Sequence, residues 1–216
     1  ASYDNYHFSQ IIKCLNNKKH VYVEKPICMT KKELKKIIIT QKKTGLYLSS
    51  NLVLRTNPLF QDLKKKIKNN FFGNVYYIEG DYLWGRVNKF YGWRSKLKYY
   101  SKIFGAAVHM IDTITWILNE KPQFVFAEGN KIATHNQMKF NTFVFLNLIF
   151  KNNLIVKITG NWPCIHPHDN SINIFSSKKT FLHNYKSSKI FSKKKINNIK
   201  IKNEKYKDKK SRKEVL

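Results

Sequence analysis

Three short stretches of this chain combine residue types that can move protons or hold a polar ligand. The first is Glu24-Lys25-Pro26, which directly follows the β-branched and aromatic run His20–Val23. That run reads as a buried strand, and ligands of open α/β sheets bind beyond the carboxyl ends of strands. A lysine placed there, next to a glutamate that can orient it, suits a proton donor or an electrostatic clamp. The same three residues also fit a surface turn with a solvated ion pair. The second stretch is Val108-His109-Met110-Ile111-Asp112. On a helix, His109, Asp112 and Trp116 share one face, and a histidine near a carboxylate can serve as an oriented acid–base group at neutral pH. A structural His–Asp hydrogen bond fits the spacing as well. The third is Tyr91-Gly92-Trp93-Arg94, a planar hydrogen-bonding fork beside a stacking face, suited to a sugar or a carboxylate. His166-Pro167-His168-Asp169 offers two histidines at i, i+2, but no further ligand cluster accompanies them and the proline breaks the strand, so no metal site is expected.

These residues need elements to hold them. Residues 4–17 have helical spacing, with Asp4 as the expected N-cap. Thr30 and Glu33 form a capping box that opens a helix with Leu34, Ile37, Ile38 and Gln41 on one face, and Gly45 closes it. Leu46–Ser49 is the next strand. Helix, strand, helix, strand is the rhythm of a parallel sheet with crossover helices. Asn57-Pro58 starts a further helix striped by Leu59, Leu63 and Ile67. From Val75 the pattern changes: 75–84, 123–128, 140–150, 154–162 and 171–176 are strand-like, and Lys151-Asn152-Asn153 suits a tight hairpin turn. One helix, 105–118, interrupts them, with Val108, Ile111, Thr115 and Leu118 as its expected buried stripe. The second part is therefore a different domain with a mostly antiparallel sheet. Residues 186–216 are lysine-rich with little periodicity and read as a loop and helix start, or as a tail.

The chain has 216 residues and a formal net charge of +28, which raises the question of a nucleic-acid partner. Only four of the 41 basic residues are arginine, the residue of the commonest base-specific contact. The lysines travel with asparagine and isoleucine, so a compositional origin is the expectation. No run of about 18 apolar residues suggests a membrane span. Cys14, Cys28 and Cys164 are odd in number and widely spaced, which points to a reducing compartment, the cytoplasm, rather than to a disulfide framework.

In order, these stretches resemble the Gfo/Idh/MocA oxidoreductase family. His20–Thr30 looks like its strand-EKP-helix signature, and Ser2 with His7 is similar to its SPxxxH segment. Leu54–Phe60 resembles its RxNP helix start. Trp93-Arg94 and Gly105–Leu118 look like its later WR and G-x-x-x-H-x-ID elements. The resemblance covers roughly residues 1–185. It implies the C-terminal portion of a Rossmann domain (1–54) and an α+β domain with an open, mainly antiparallel sheet for substrate and oligomer contacts (55–185). Residues 186–216 would be the incomplete end of that domain or a tail. It further implies hydride transfer between NAD or NADP and a carbinol carbon of a sugar, cyclitol or nucleotide sugar, in a homo-oligomer joined through the second sheet.

On that resemblance Lys25 and His109 are catalytic; Asp112, one turn on, supports His109 or packs structurally. His7, Glu24, Lys25, Pro26 and Arg55 lie near the nicotinamide ribose, and the Lys25–Pro26 bond is cis. Trp93, Arg94, Trp162 and His166 line the substrate pocket, along with Tyr82 and Trp84. Two departures stand beside this. No GxGxxG phosphate loop occurs in these residues, so a fragment of a longer product, inactive alone, is expected. Gly105 stands where inositol-dehydrogenase-like members place a catalytic aspartate. The alternatives are a non-catalytic relative acting as a binding or assembly module and, behind it, a basic nucleic-acid-binding protein.

Overall fold

Local signals begin and end the first helices. The computed structural model describes residues 2–85, 91–92, 103–135, 138–193 and 195–199. Helix α1 (His7–Asn16) buries Ile11 and Leu15. Asp4 does not cap it: Asp4–Tyr6 form a 3₁₀ turn that runs straight into the helix. Strand β1 (Val21–Val23) leads through the Lys25–Pro26 cis bond to helix α2 (Lys31–Thr44). The Thr30–Glu33 capping box forms in both directions, and Gly45 closes the helix at φ 67°. Strand β2 (Leu48–Ser50) pairs parallel with β1, Val21 opposite Leu48. These elements share a small core of Ile11, Leu15, Cys28 and Ile37. Of the expected apolar face of α2 only Ile37 is buried, while Leu34 and Ile38 remain 38% and 44% exposed.

The larger core begins at Val53 and Leu54. The Asn57 side chain accepts from the Leu59 N–H and starts helix α3 (Pro58–Lys68) with proline in its first turn. Strand β3 (Val75–Leu83) follows. A π turn, Ile103–Ala107, then runs into helix α4 (Val108–Leu118). The remaining strands are β4 (Phe124–Asn130), β5 (Phe143–Ile149), β6 (Ile155–Asn161), β7 (Asp169–Ser176), β8 (Lys179–His183), β9 (Ser188–Ser192) and β10 (Lys195–Ile199). They form one sheet in the order β10-β9-β8-β7-β3-β6-β5-β4. Every pairing in it is antiparallel except β3 with β6, where Tyr77 lies opposite Ile155. The hairpin β5–β6 turns through Asn152 and Asn153 at φ 56° and 58°.

Two expectations change here. Residues 188–192 and 195–199 are strands, not a helix start or tail. Ser188 and Ile190 alternate into the core, a two-residue period that the surrounding lysines obscure. In α4 the buried residues are Met110, Thr113, Ile114 and Ile117, one position away from the expected stripe. Backbone approach at β3 sets that rotation. A Cβ added at Gly80 would lie 2.7 Å from Ile114 Cδ1 and 3.1 Å from Met110 Cε, so the helix sits where only glycine leaves room.

The other face of the sheet carries a polar network. Lys157 Nζ lies 3.4 Å from Glu79 and 3.5 Å from Asp81, while Asn173 and the Tyr77 hydroxyl both donate to Glu79. Burial alone would raise Glu79, but these donors and the Lys157 charge hold its carboxyl below the usual value. Burial and the neighbouring Glu79 push the Tyr77 phenol up to about 12. Around this network Phe124, Phe126 and Ile155 are 67%, 58% and 43% exposed.

Candidate active site

The Glu24-Lys25-Pro26 turn leaves the carboxyl end of β1, and Asn51 leaves the carboxyl end of β2 beside it. The Asn51 N–H donates to Val23 O at 2.9 Å, and its side-chain NH₂ donates to Glu24 Oε1 at 2.6 Å. Glu24 is thus held by an asparagine that the sequence reading missed. Parallel register was the available signal: Ser50 pairs with Val23, so position 51 lies beside position 24. The His7 ring, 2% exposed, lies under the turn with Nδ1 2.7 Å from Pro26 O. It braces the backbone of the turn from inside.

Lys25 reaches across to the second domain. Its Nζ donates to Gly105 O at 2.7 Å, eighty positions away in the chain. Gly105 lies within the π turn that precedes α4, and π turns inside helices recur at functional sites. His109 stands in the first turn of α4. Its ring stacks on Tyr82 of β3, centroids 5.6 Å apart and planes 13° apart. A half-buried ammonium and a half-buried imidazole are therefore brought to the same end of the molecule by β1, β3 and α4.

Several expected residues have other tasks. Both oxygens of Asp112 take Arg55, Nε to Oδ2 at 2.8 Å and a terminal nitrogen to Oδ1 at 2.5 Å. Arg55 and Asp112 thus form a fork between the segment preceding α3 and the face of α4, and the bond to Asp112 raises the guanidinium above its ordinary value. Trp162 is 2% exposed and lies 4.3 Å from the Trp84 ring, itself 9% exposed. Both indoles are core, so neither offers a face to a sugar. His166 has Nδ1 2.7 Å from Pro167 O and meets Tyr185 edge-on at 5.0 Å. Trp93 and Arg94 lie outside the described residues. Among the described residues no helix is long and apolar enough to cross a membrane, and no group of three or more His, Cys, Asp or Glu side chains could hold a metal ion.

Residues 1–52 match the oxidoreductase family with an NAD-binding Rossmann fold, and residues 60–182 match the Gfo/Idh/MocA C-terminal domain. The chain belongs to the Gfo/Idh/MocA oxidoreductase family. Among curated relatives, the myo-inositol 2-dehydrogenase of Thermotoga maritima is 25% identical over 185 residues, covering 82% of this chain and 53% of the relative. The chain thus spans about half the length of that protein. Among solved structures, an inositol dehydrogenase homolog from Azotobacter vinelandii, complexed with NADH and myo-inositol, superposes with a TM-score of 0.82. It is 12% identical, with 93% of this chain and 54% of that chain covered. The myo-inositol 2-dehydrogenase of Lactobacillus plantarum also gives 0.82, at 15% identity over 100% of this chain and 66% of that one. At such identities these two likenesses show the fold: a Rossmann-type portion followed by an open, mainly antiparallel sheet.

The nicotinamide end of NAD fits the residues present. Glu24, Lys25 and Asn51 converge beyond the carboxyl ends of two parallel strands. Asn51 Oδ1 is buried there with no hydrogen-bond partner, an acceptor that a ligand N–H or O–H would satisfy.

Proposed function

We propose that this chain forms the catalytic part of a dehydrogenase acting between NAD or NADP and the carbinol carbon of a cyclitol or sugar. The observation that carries this reading is the contact between Lys25 and the helix of His109. Lys25 Nζ is anchored at Gly105 O, four residues before His109. Lys25 is thereby tied to the backbone turn that leads into the helix of His109. NAD, when bound, supplies the hydride acceptor.

The roles of the protein groups follow from their chemistry. The Lys25 ammonium donates a hydrogen bond to the reacting oxygen and stabilises negative charge developing on it. His109, an imidazole held flat against Tyr82, takes the hydroxyl proton as the carbonyl forms. Glu24 and Asn51 hold the ribose side of the nicotinamide. His7 keeps the Pro26 backbone fixed, so that Lys25 starts from a defined position.

The partner copy of this reading is a second identical chain, seated on the face of the large sheet that exposes Phe124, Phe126 and Ile155. The three free cysteines fit the reducing cytoplasm.

The test is kinetic, in the full-length protein with NAD and myo-inositol. Lys25→Ala should lower kcat by about 100- to 10,000-fold, the usual worth of a positioned acid–base group, with thermal stability retained. Near-normal turnover overturns the assignment. A wild-type protein that forms no NADH from cyclitols or sugars leaves the fold as a binding module.

A further inference from the structure

The His166-Pro167-His168-Asp169 segment, which the sequence offers as a doubtful metal motif, is built into the end of the sheet that carries the site. A Cβ at Gly85 would lie 2.0 Å from His166 O, so this strap passes directly over the end of β3. Asp169, 2% exposed, fastens it: Oδ1 accepts from its neighbour Asn170 N at 3.0 Å and Oδ2 from Tyr185 N at 2.9 Å. The two histidines then part. His166 turns to Tyr185. The His168 ring meets Tyr82 at 5.2 Å and 62°, on the residue whose ring also carries His109. Register agrees, since Tyr82 pairs with Asn170, and position 168 alternates onto the same face.

We infer that His168, in place of the expected His166, is a substrate-binding residue of this site, and that it holds a hydroxyl of a polyhydroxylated ring remote from the reacting carbon. His109, Tyr82 and His168 form one three-ring wall, in which Tyr82 fixes the separation of the two imidazoles. A half-buried imidazole both donates and accepts, as a vicinal hydroxyl requires. The Tyr82–His168 contact is edge-on, so His168 does not duplicate the stacked place of His109. The inference rests on the dehydrogenase reading for its substrate class, and on the ring geometry for the residue.

Two variants test it in the full-length protein with NAD. His168→Phe keeps a ring against Tyr82 but removes both polar atoms; His168→Gln returns a donor and an acceptor. With myo-inositol as probe, His168→Phe should raise KM about tenfold, the loss of one hydrogen bond, with kcat within about threefold of wild type. His168→Gln should recover part of that loss. A KM within about twofold of wild type, or a fall in kcat alone, overturns the inference while NADH formation by wild type leaves the dehydrogenase reading standing. A second measurement needs no turnover. In ¹³C-histidine-labelled protein, the His168 ring signal should move when NAD and a polyol (myo-inositol, glucose or xylose) are added. If none of these moves it, His168 does not touch substrate, whatever the enzyme later proves to oxidise.

Discussion

Removing the Arg55 guanidinium tests whether the fork to Asp112 clasps the segment before α3 to helix α4. The pair makes two charge-assisted bonds, at 2.8 and 2.5 Å. Such bonds contribute about 1.5–3 kcal/mol when shielded. The Arg55 side chain is 44% exposed and that of Asp112 14%, so solvent screens one end and not the other. A coupling of about 1–2 kcal/mol is therefore expected. Arg55→Ala, Asp112→Ala and the double variant close a cycle, read by urea unfolding through tryptophan fluorescence. Arg55→Ala should cost more than Asp112→Ala, because it strands the less exposed charge. Arg55→Lys should recover little, since an ammonium lacks the planar fork. A coupling below about 0.3 kcal/mol, the scatter of independent sites, refutes the clasp.

Trp162→Ala should destabilise by about 3–5 kcal/mol in urea, as a fully buried indole does, and Trp162→Phe should lower stability without changing the KM for substrate. A selective KM effect would restore Trp162 to the pocket. Glu79 titrates below its ordinary value of 4.5, so it adds stability above that pH, and the gain is lost as pH falls through the lower folded value. Glu79→Gln should flatten the acid limb of the stability curve, and an unchanged limb would discount the network. The Tyr77 phenol, raised from 10.0 to about 12, works in the opposite sense: stability should fall across that interval, and Tyr77→Phe should remove the fall. Gly80→Val, placed against Ile114 and Met110, should cost about 1–3 kcal/mol by overpacking, visible as a lowered Tm.

Features written in a few adjacent residues were legible in the sequence. The Thr30–Glu33 box, the Asn57-Pro58 helix start and the Asn152-Asn153 turn each arise from groups one to three positions apart, and the structure has all three. The orientation of α4 was not legible, because the space at Gly80 and not the periodicity of α4 decides which side is buried. Strands β9 and β10 were hidden for another reason. Their register comes from β8, with Ser188 opposite His183, and the alternation they carry is too short to mark a strand: Lys189 faces outward between Ser188 and Ile190, while Ile196 of β10 is exposed. The candidate site divides the same way. Lys25 and His109 stood out by type and setting. The bond of Lys25 to Gly105 O, the clamp of Asn51 on Glu24 and the contact of His168, not His166, with Tyr82 all depend on segments distant in the chain. Asp112 was drawn to Arg55 because bidentate charge pairing outweighs one neutral hydrogen bond.

The central place of β3 has a consequence for how the chain is made. Its two neighbours, β6 and β7, both come much later in the sequence, Tyr77 pairing with Ile155 and with Phe175. A ribosome adding roughly 5–20 residues per second needs about 4–16 s to cover the 78 positions from Tyr77 to Ile155. Through that interval the nascent β3, with Ile78 and Tyr82, has no strand on either side. Helix α3 can cover part of it early, but the sheet cannot close around its middle strand before β6 and β7 leave the exit tunnel. During this delay the apolar side chains of β3 stay open to wrong partners, because pairings this distant in sequence form late.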